Sequence, residues 1–140
     1  VSGSAEDRLV TRVDFVTIPT HDLHASAQFY GETLGLRRSV FLPDQHFAEF
    51  ETDNLTLNLI DAEAMGLEHH PQRHGVALHV DDVAAARATL EQRGVHFDGP
   101  TIDTGVCHMA IFSDPEGNAL TLHHRYAPRA SDRDAPERPA

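Results

Sequence analysis

The sequence has no lysine and no tryptophan, and all eleven of its basic residues are arginine. Without lysine there is no amine for a Schiff base and no phosphate-loop lysine. The single cysteine, Cys107, excludes an intrachain disulfide and any zinc site built from several cysteines. No run comes near the roughly 18 consecutive apolar residues that a membrane span needs. The opening residues carry no basic-then-apolar leader pattern, so a cytoplasmic protein with no membrane partner is expected. Positive charge is scarce, with 22 acidic against 11 basic side chains and a formal net charge of −11. Such a surface repels phosphate backbones, so nucleic acid is not an expected partner. A neutral or cationic small molecule suits it better. What is present is ordinary: 140 residues, 40% of them hydrophobic, enough for one domain with its own core.

The two ends are polar and lack an apolar period. Residues 1–10 read as a flexible start and 127–140 as a disordered tail. The folded unit is expected over 11–126. Within it, Val16-Thr17-Ile18-Pro19-Thr20-His21-Asp22-Leu23 lies over Val76-Ala77-Leu78-His79-Val80-Asp81-Asp82-Val83, an offset of 60 residues. Each stretch reads as a short strand, an Asp that caps a helix, and then the helix. The first helix sets Leu23, Ala27, Tyr30 and Leu34 on one face, and the second sets Val83, Ala86 and Leu90 likewise. Gly35 and Gly94 follow the last turns, where a left-handed cap is wanted. Three strand-like runs follow each helix. They are 37–42, 47–52 and 55–60 in the first half, and 99–102, 106–113 and 119–123 in the second. Gly99 and Pro100 weaken the run over 99–102. The pattern predicts an α+β fold of two βαβββ modules in tandem, 11–61 and 74–126, joined by a linker over 62–73.

Three stretches carry a family resemblance. They are Asp22-Leu23 with Phe29-Tyr30 and Leu34-Gly35-Leu36; His79-Val80-Asp81-Asp82-Val83; and Phe112-Ser113-Asp114-Pro115-Glu116-Gly117-Asn118. In this order and at these separations the chain resembles the vicinal oxygen chelate superfamily over about residues 12–125. That group includes glyoxalase I, extradiol dioxygenases, fosfomycin-resistance enzymes and bleomycin-resistance proteins. The resemblance implies curled mixed sheets that enclose a cavity, and a homodimer. It does not imply one reaction, because the fold hosts many.

The family's metalloenzymes hold a divalent ion with four side chains, usually His and Glu. The resemblance places those positions on Phe15, Asn58, Gly75 and Thr121. Phe and Gly offer no side-chain donor, and Asn and Thr are weak neutral ligands. The usual metal site is expected to be absent, and no cofactor is expected. His74 neighbours Gly75, but a one-residue step on a strand turns the side chain to the other face. Strand alternation puts His79 on the face of Ala77, and His123 on the face of Thr121. With Glu49, these two could hold a displaced ion, or they could be polar walls that hydrogen-bond a ligand. His69, His70 and His74 read as solvated linker residues, and His21 and His24 as exposed residues beside a helix start. Cys107 reads as a small packed residue, since His108 beside it points to the opposite face.

The candidate ligand-binding residues are Phe15, Thr17, Phe47, Glu49, Thr56, Asn58, His79, Met109, Ile111, Thr121 and His123. They mix apolar walls with a few polar groups, as small-molecule pockets do. The leading function is a metal-free binder of a drug-like or natural-product ligand, akin to the bleomycin-resistance proteins and to a role in antibiotic resistance. The alternative is a glyoxalase-like lyase, an isomerase or a dioxygenase with a displaced metal or metal-free acid–base catalysis. Whether the chain is an enzyme is left open by its residues.

Overall fold

The computed structural model describes residues 8–128; the sequence-predicted tail over 127–140 and the flexible start over 1–10 fall largely outside them. The chain divides into two compact units. One holds residues 8–73 together with Asp114–Asn118, and the other holds 74–113 and the chain from Ala119 onward.

In the first unit, strand β1 (Phe15–Thr20) leads into helix α1 (Leu23–Gln28). Asp22 caps α1, its carboxylate accepting the Ala25 N–H at 3.0 Å. The helix then widens into a π-helical turn, Phe29–Thr33. Gly35 follows with φ +77°, the left-handed exit that only glycine adopts without strain. Strands β2 (Arg37–Leu42), β3 (Phe47–Glu51) and β4 (Thr56–Asp61) complete the module. The sheet order is β1-β4-β3-β2, with β1 parallel to β4 and the other pairs antiparallel. Alternation sends Ile18, Ala48, Phe50, Leu57 and Leu59 to the buried face, where Leu23, Ala27 and Tyr30 are also buried.

The second unit repeats the plan. Strand β5 (Val76–His79) leads to helix α2 (Val83–Gln92), capped by Asp82 through the Ala85 N–H at 3.0 Å. Gly94 (φ +90°) ends the helix. Strands β6 (Ile102–Asp103), β7 (Cys107–Ser113) and β8 (Ala119–Arg125) form a sheet in the order β5-β8-β7-β6. Val83, Leu90, Phe97, Ala110, Phe112, Leu120 and Leu122 are its buried apolar residues. The expected strand over 99–102 is instead two residues long and shifted to Ile102–Asp103. Gly99 takes φ +77°, and Pro100 has no N–H for a ladder, so the run before Ile102 stays out of the sheet.

The βαβββ order therefore occurs twice, as expected. Neither four-stranded sheet closes on itself: β1 and β2 are the edges of one, β5 and β6 of the other. Among the described residues, no helix is long and apolar enough to cross a membrane.

Candidate functional site

Six of the eleven sequence-derived candidates share the open face of the first sheet. Pairing sets Thr17 beside Asn58 and Asn58 beside Glu49, a row across β1, β4 and β3. Phe15 pairs with Thr56 in the next row, and Phe47 lies two residues from Glu49 on the same face. Phe15 is 53% exposed, while Phe47, Glu49, Thr56 and Asn58 are half-buried. The Asn58 Oδ1 is buried and accepts no hydrogen bond.

The other five candidates share the open face of the second sheet. His79 pairs with His123 and His123 with Met109, while Thr121 pairs with Ile111. The His79 imidazole approaches the exposed Asp81 carboxylate at 3.2 Å and lies 5.8 Å from the His124 ring. Cys107 is buried, with its sulfur 3.0 Å from the Thr104 hydroxyl.

The four positions that the resemblance assigns to metal carry few donors. Phe15 contributes a ring, Gly75 no side chain, and Asn58 and Thr121 neutral oxygens. A Cβ added at Gly75 would meet the Ala119 backbone at 3.1 Å, so the fold leaves little room for a ligating side chain there.

Two features lie outside the sequence-derived candidates. The first centres on the turn Asp114–Asn118. The buried Asp114 carboxylate accepts the Tyr30 hydroxyl and the Asn118 amide, each at 2.8 Å, and the N–H groups of Glu116 and Asn118, each at 2.9 Å. Burial first, and then the Asp114 charge and hydrogen bond, push the Tyr30 phenol well above its ordinary value. Asn118 also donates to the Pro19 carbonyl and accepts the Gln72 N–H. The Glu116 Oε2 accepts the Thr20 hydroxyl at 2.8 Å and the Asp22 N–H at 3.2 Å, and is also approached by the His21 N–H. Burial pushes the Glu116 carboxyl up. The donors from His21, Thr20 and Asp22, with His69 close by, outweigh that and hold it below the usual carboxylate value. These bonds give Asp114–Asn118 a place in the first unit, although its sequence position lies in the second repeat.

Beside this turn, His21 and His69 stack face to face with ring centroids 3.7 Å apart. The reading of His69 as a solvated linker residue is corrected: it is half-buried, and its Nδ1 is shut off from water. The linker bends back over the start of α1, which its sequence does not announce. The second feature is a pocket of about 530 Å³ beside α1, lined by residues that include His24, Gln28, Leu36, Arg38 and Phe41. The Arg38 guanidinium lies 4.7 Å over the Phe41 ring. None of the eleven candidates lines this pocket.

A family model described as the Glyoxalase/Bleomycin resistance protein/Dioxygenase superfamily matches residues 12–122. The chain belongs to this family. No curated protein matches it. Among solved structures it is similar to TnmS3, an antibiotic-binding protein from Streptomyces sp. CB03234. The two share 30% identity over 84% of this chain and 98% of that one, with a TM-score of 0.71. A superfamily member from Sphaerobacter thermophilus DSM 20745 shares 27% identity over 83% and 98% of the two chains, with the same TM-score of 0.71. A lactoylglutathione lyase from Agrobacterium tumefaciens shares 18% identity over 81% and 93%, with a TM-score of 0.70, a likeness of fold alone. The family's description itself spans different activities, and the choice among them falls to the site residues.

Proposed function

We propose that the protein binds a drug-like or natural-product small molecule without the metal usual in its family, on the open face of its first sheet. The observation that carries this reading is Asn58: its Oδ1 is buried, unpartnered and flanked in register by Thr17 and Glu49. A buried acceptor without a donor costs about 1–3 kcal/mol, and a ligand N–H or O–H placed there removes that cost. Glu49 beside it suits a ligand that carries positive charge, as does the net charge of −11. Phe15 and Phe47 supply apolar surface at either side of the polar row. The likeness to an antibiotic-binding protein points the same way. His79, Met109, Ile111, Thr121 and His123 form a second group of candidates on the other sheet, each testable by its own substitution. The reading includes a homodimer, which sedimentation of the full chain tests.

The test is a thermal-shift screen of cationic and natural-product antibiotics, followed by calorimetric titration of any that stabilise the chain. One equivalent is expected to bind. Asn58→Leu is expected to weaken binding by about tenfold or more while leaving the unliganded chain as stable as before or more so. Binding that ignores both Asn58→Leu and Glu49→Gln overturns the assignment of this face.

A further inference from the structure

We propose that His21, His69 and Glu116 form a site for a divalent transition-metal ion of the zinc type, separate from the sheet face above. Among the described residues they are a group of three whose potential ligand atoms all lie within 4.8 Å of one another. Two imidazoles and a carboxylate suit a borderline divalent ion. Bonds of about 2.0–2.2 Å bring such donors closer together than this, so small side-chain rotations close the set. None of the three occupies a position that the family resemblance assigns to metal.

Each donor is prepared in a different way. The His21 Nε2 lies 2.9 Å from the Glu63 carboxylate, an acceptor placed for an N–H on that nitrogen. The Nδ1 lies 4.0 Å from the Glu116 Oε1 and is the nitrogen left for an ion. A carboxylate behind a ligating histidine orients the ring and raises its basicity. The Glu116 Oε2 is engaged by the Thr20 hydroxyl and the N–H groups of His21 and Asp22, which leaves Oε1 as the oxygen for the ion. The third observation is independent of these distances: the His69 Nδ1 is buried without a hydrogen-bond partner. A cation would satisfy it.

The ring stack gives the proposal a structural signature. Two imidazoles bound to one ion radiate from it, so binding must open the stack from 3.7 Å. The His21 side chain is 52% exposed, so a fourth position faces solvent and takes water. The three donors come from the start of α1, the linker and the turn Asp114–Asn118. An ion bound only by the folded chain would hold these segments together and raise stability by mass action.

The experiment uses the full chain, freed of metal by chelator and titrated with Zn²⁺ and Co²⁺. One equivalent is expected, with a rise in Tm of about 5 °C or more at saturation and visible absorption from bound Co²⁺. His21→Ala and His69→Ala are each expected to weaken binding by about a hundredfold, and Glu63→Gln by about tenfold. The double variant His79→Ala/His123→Ala should bind as the parent does. Circular dichroism of the metal-free variants establishes that they fold, and His69→Gln replaces His69→Ala if the latter does not. Failure to bind about one equivalent overturns the proposal, as does binding that survives both His21→Ala and His69→Ala, which would mark adventitious capture by other histidines. Neither result bears on Asn58 or on the sheet face.

Discussion

Replacing Tyr30 with Phe isolates the bond between the phenol and the buried Asp114. The ring is fully buried, so Phe keeps its packing and only the hydroxyl is lost. Asp114 then keeps three of its four donors: the Asn118 amide and the N–H groups of Glu116 and Asn118. A hydrogen bond to a charged group contributes about 1.5–3 kcal/mol, so a loss near 2 kcal/mol is expected at neutral pH. For a domain of this size that lowers Tm by roughly 6–10 °C. In urea the midpoint should fall with the slope unchanged. The pH dependence supplies a second handle. The folded pKa of Tyr30 is raised, so its contribution is fully present below the unfolded value near 10 and is lost as pH rises above it. The parent loses about 1.4 kcal/mol through this one group by pH 11, and Tyr30→Phe does not. The gap between the two proteins should therefore shrink in alkali. A cost below about 0.5 kcal/mol at pH 7, or a gap that stays constant to pH 11, would refute the reading of this bond.

Two further substitutions test the fold at single points. Gly75→Ala should destabilise by about 1–3 kcal/mol, because its Cβ would press on the Ala119 backbone at 3.1 Å rather than on a flexible side chain; urea titration measures it, and a neutral result would show that β8 yields. Asp82→Ala should cost about 1 kcal/mol by removing the cap on the Ala85 N–H, and faster hydrogen exchange in the first turn of α2 is the accompanying sign.

Much of the fold was readable from local patterns. Asp22 and Asp82 each precede an apolar-periodic run, and each caps its helix as its position suggests. Gly35 and Gly94 both take the positive φ that their places after a helix require. The repeat at an offset of 60 announced two modules of one plan, and alternation sorted the candidates to the open face of each sheet. The weak points were where local signals conflict. The π-helical turn Phe29–Thr33 has no signature beyond that of an ordinary helix. The strand after α2 could not be bounded next to Gly99 and Pro100. Immediate neighbours in the chain do not place His69: its ring partner, His21, is 48 residues away.

The residues alone determined the element order, the caps and the alternation of faces, because these follow from side-chain chemistry and spacing within a few residues. Only the tertiary structure decided that Asp114 would meet Tyr30, that Asn58 Oδ1 would be buried without a donor, and that His21, His69 and Glu116 would converge. The first and the last depend on contacts between segments 47 to 95 residues apart. Burial and hydrogen-bond satisfaction select such contacts over the whole chain, and no local pattern encodes them.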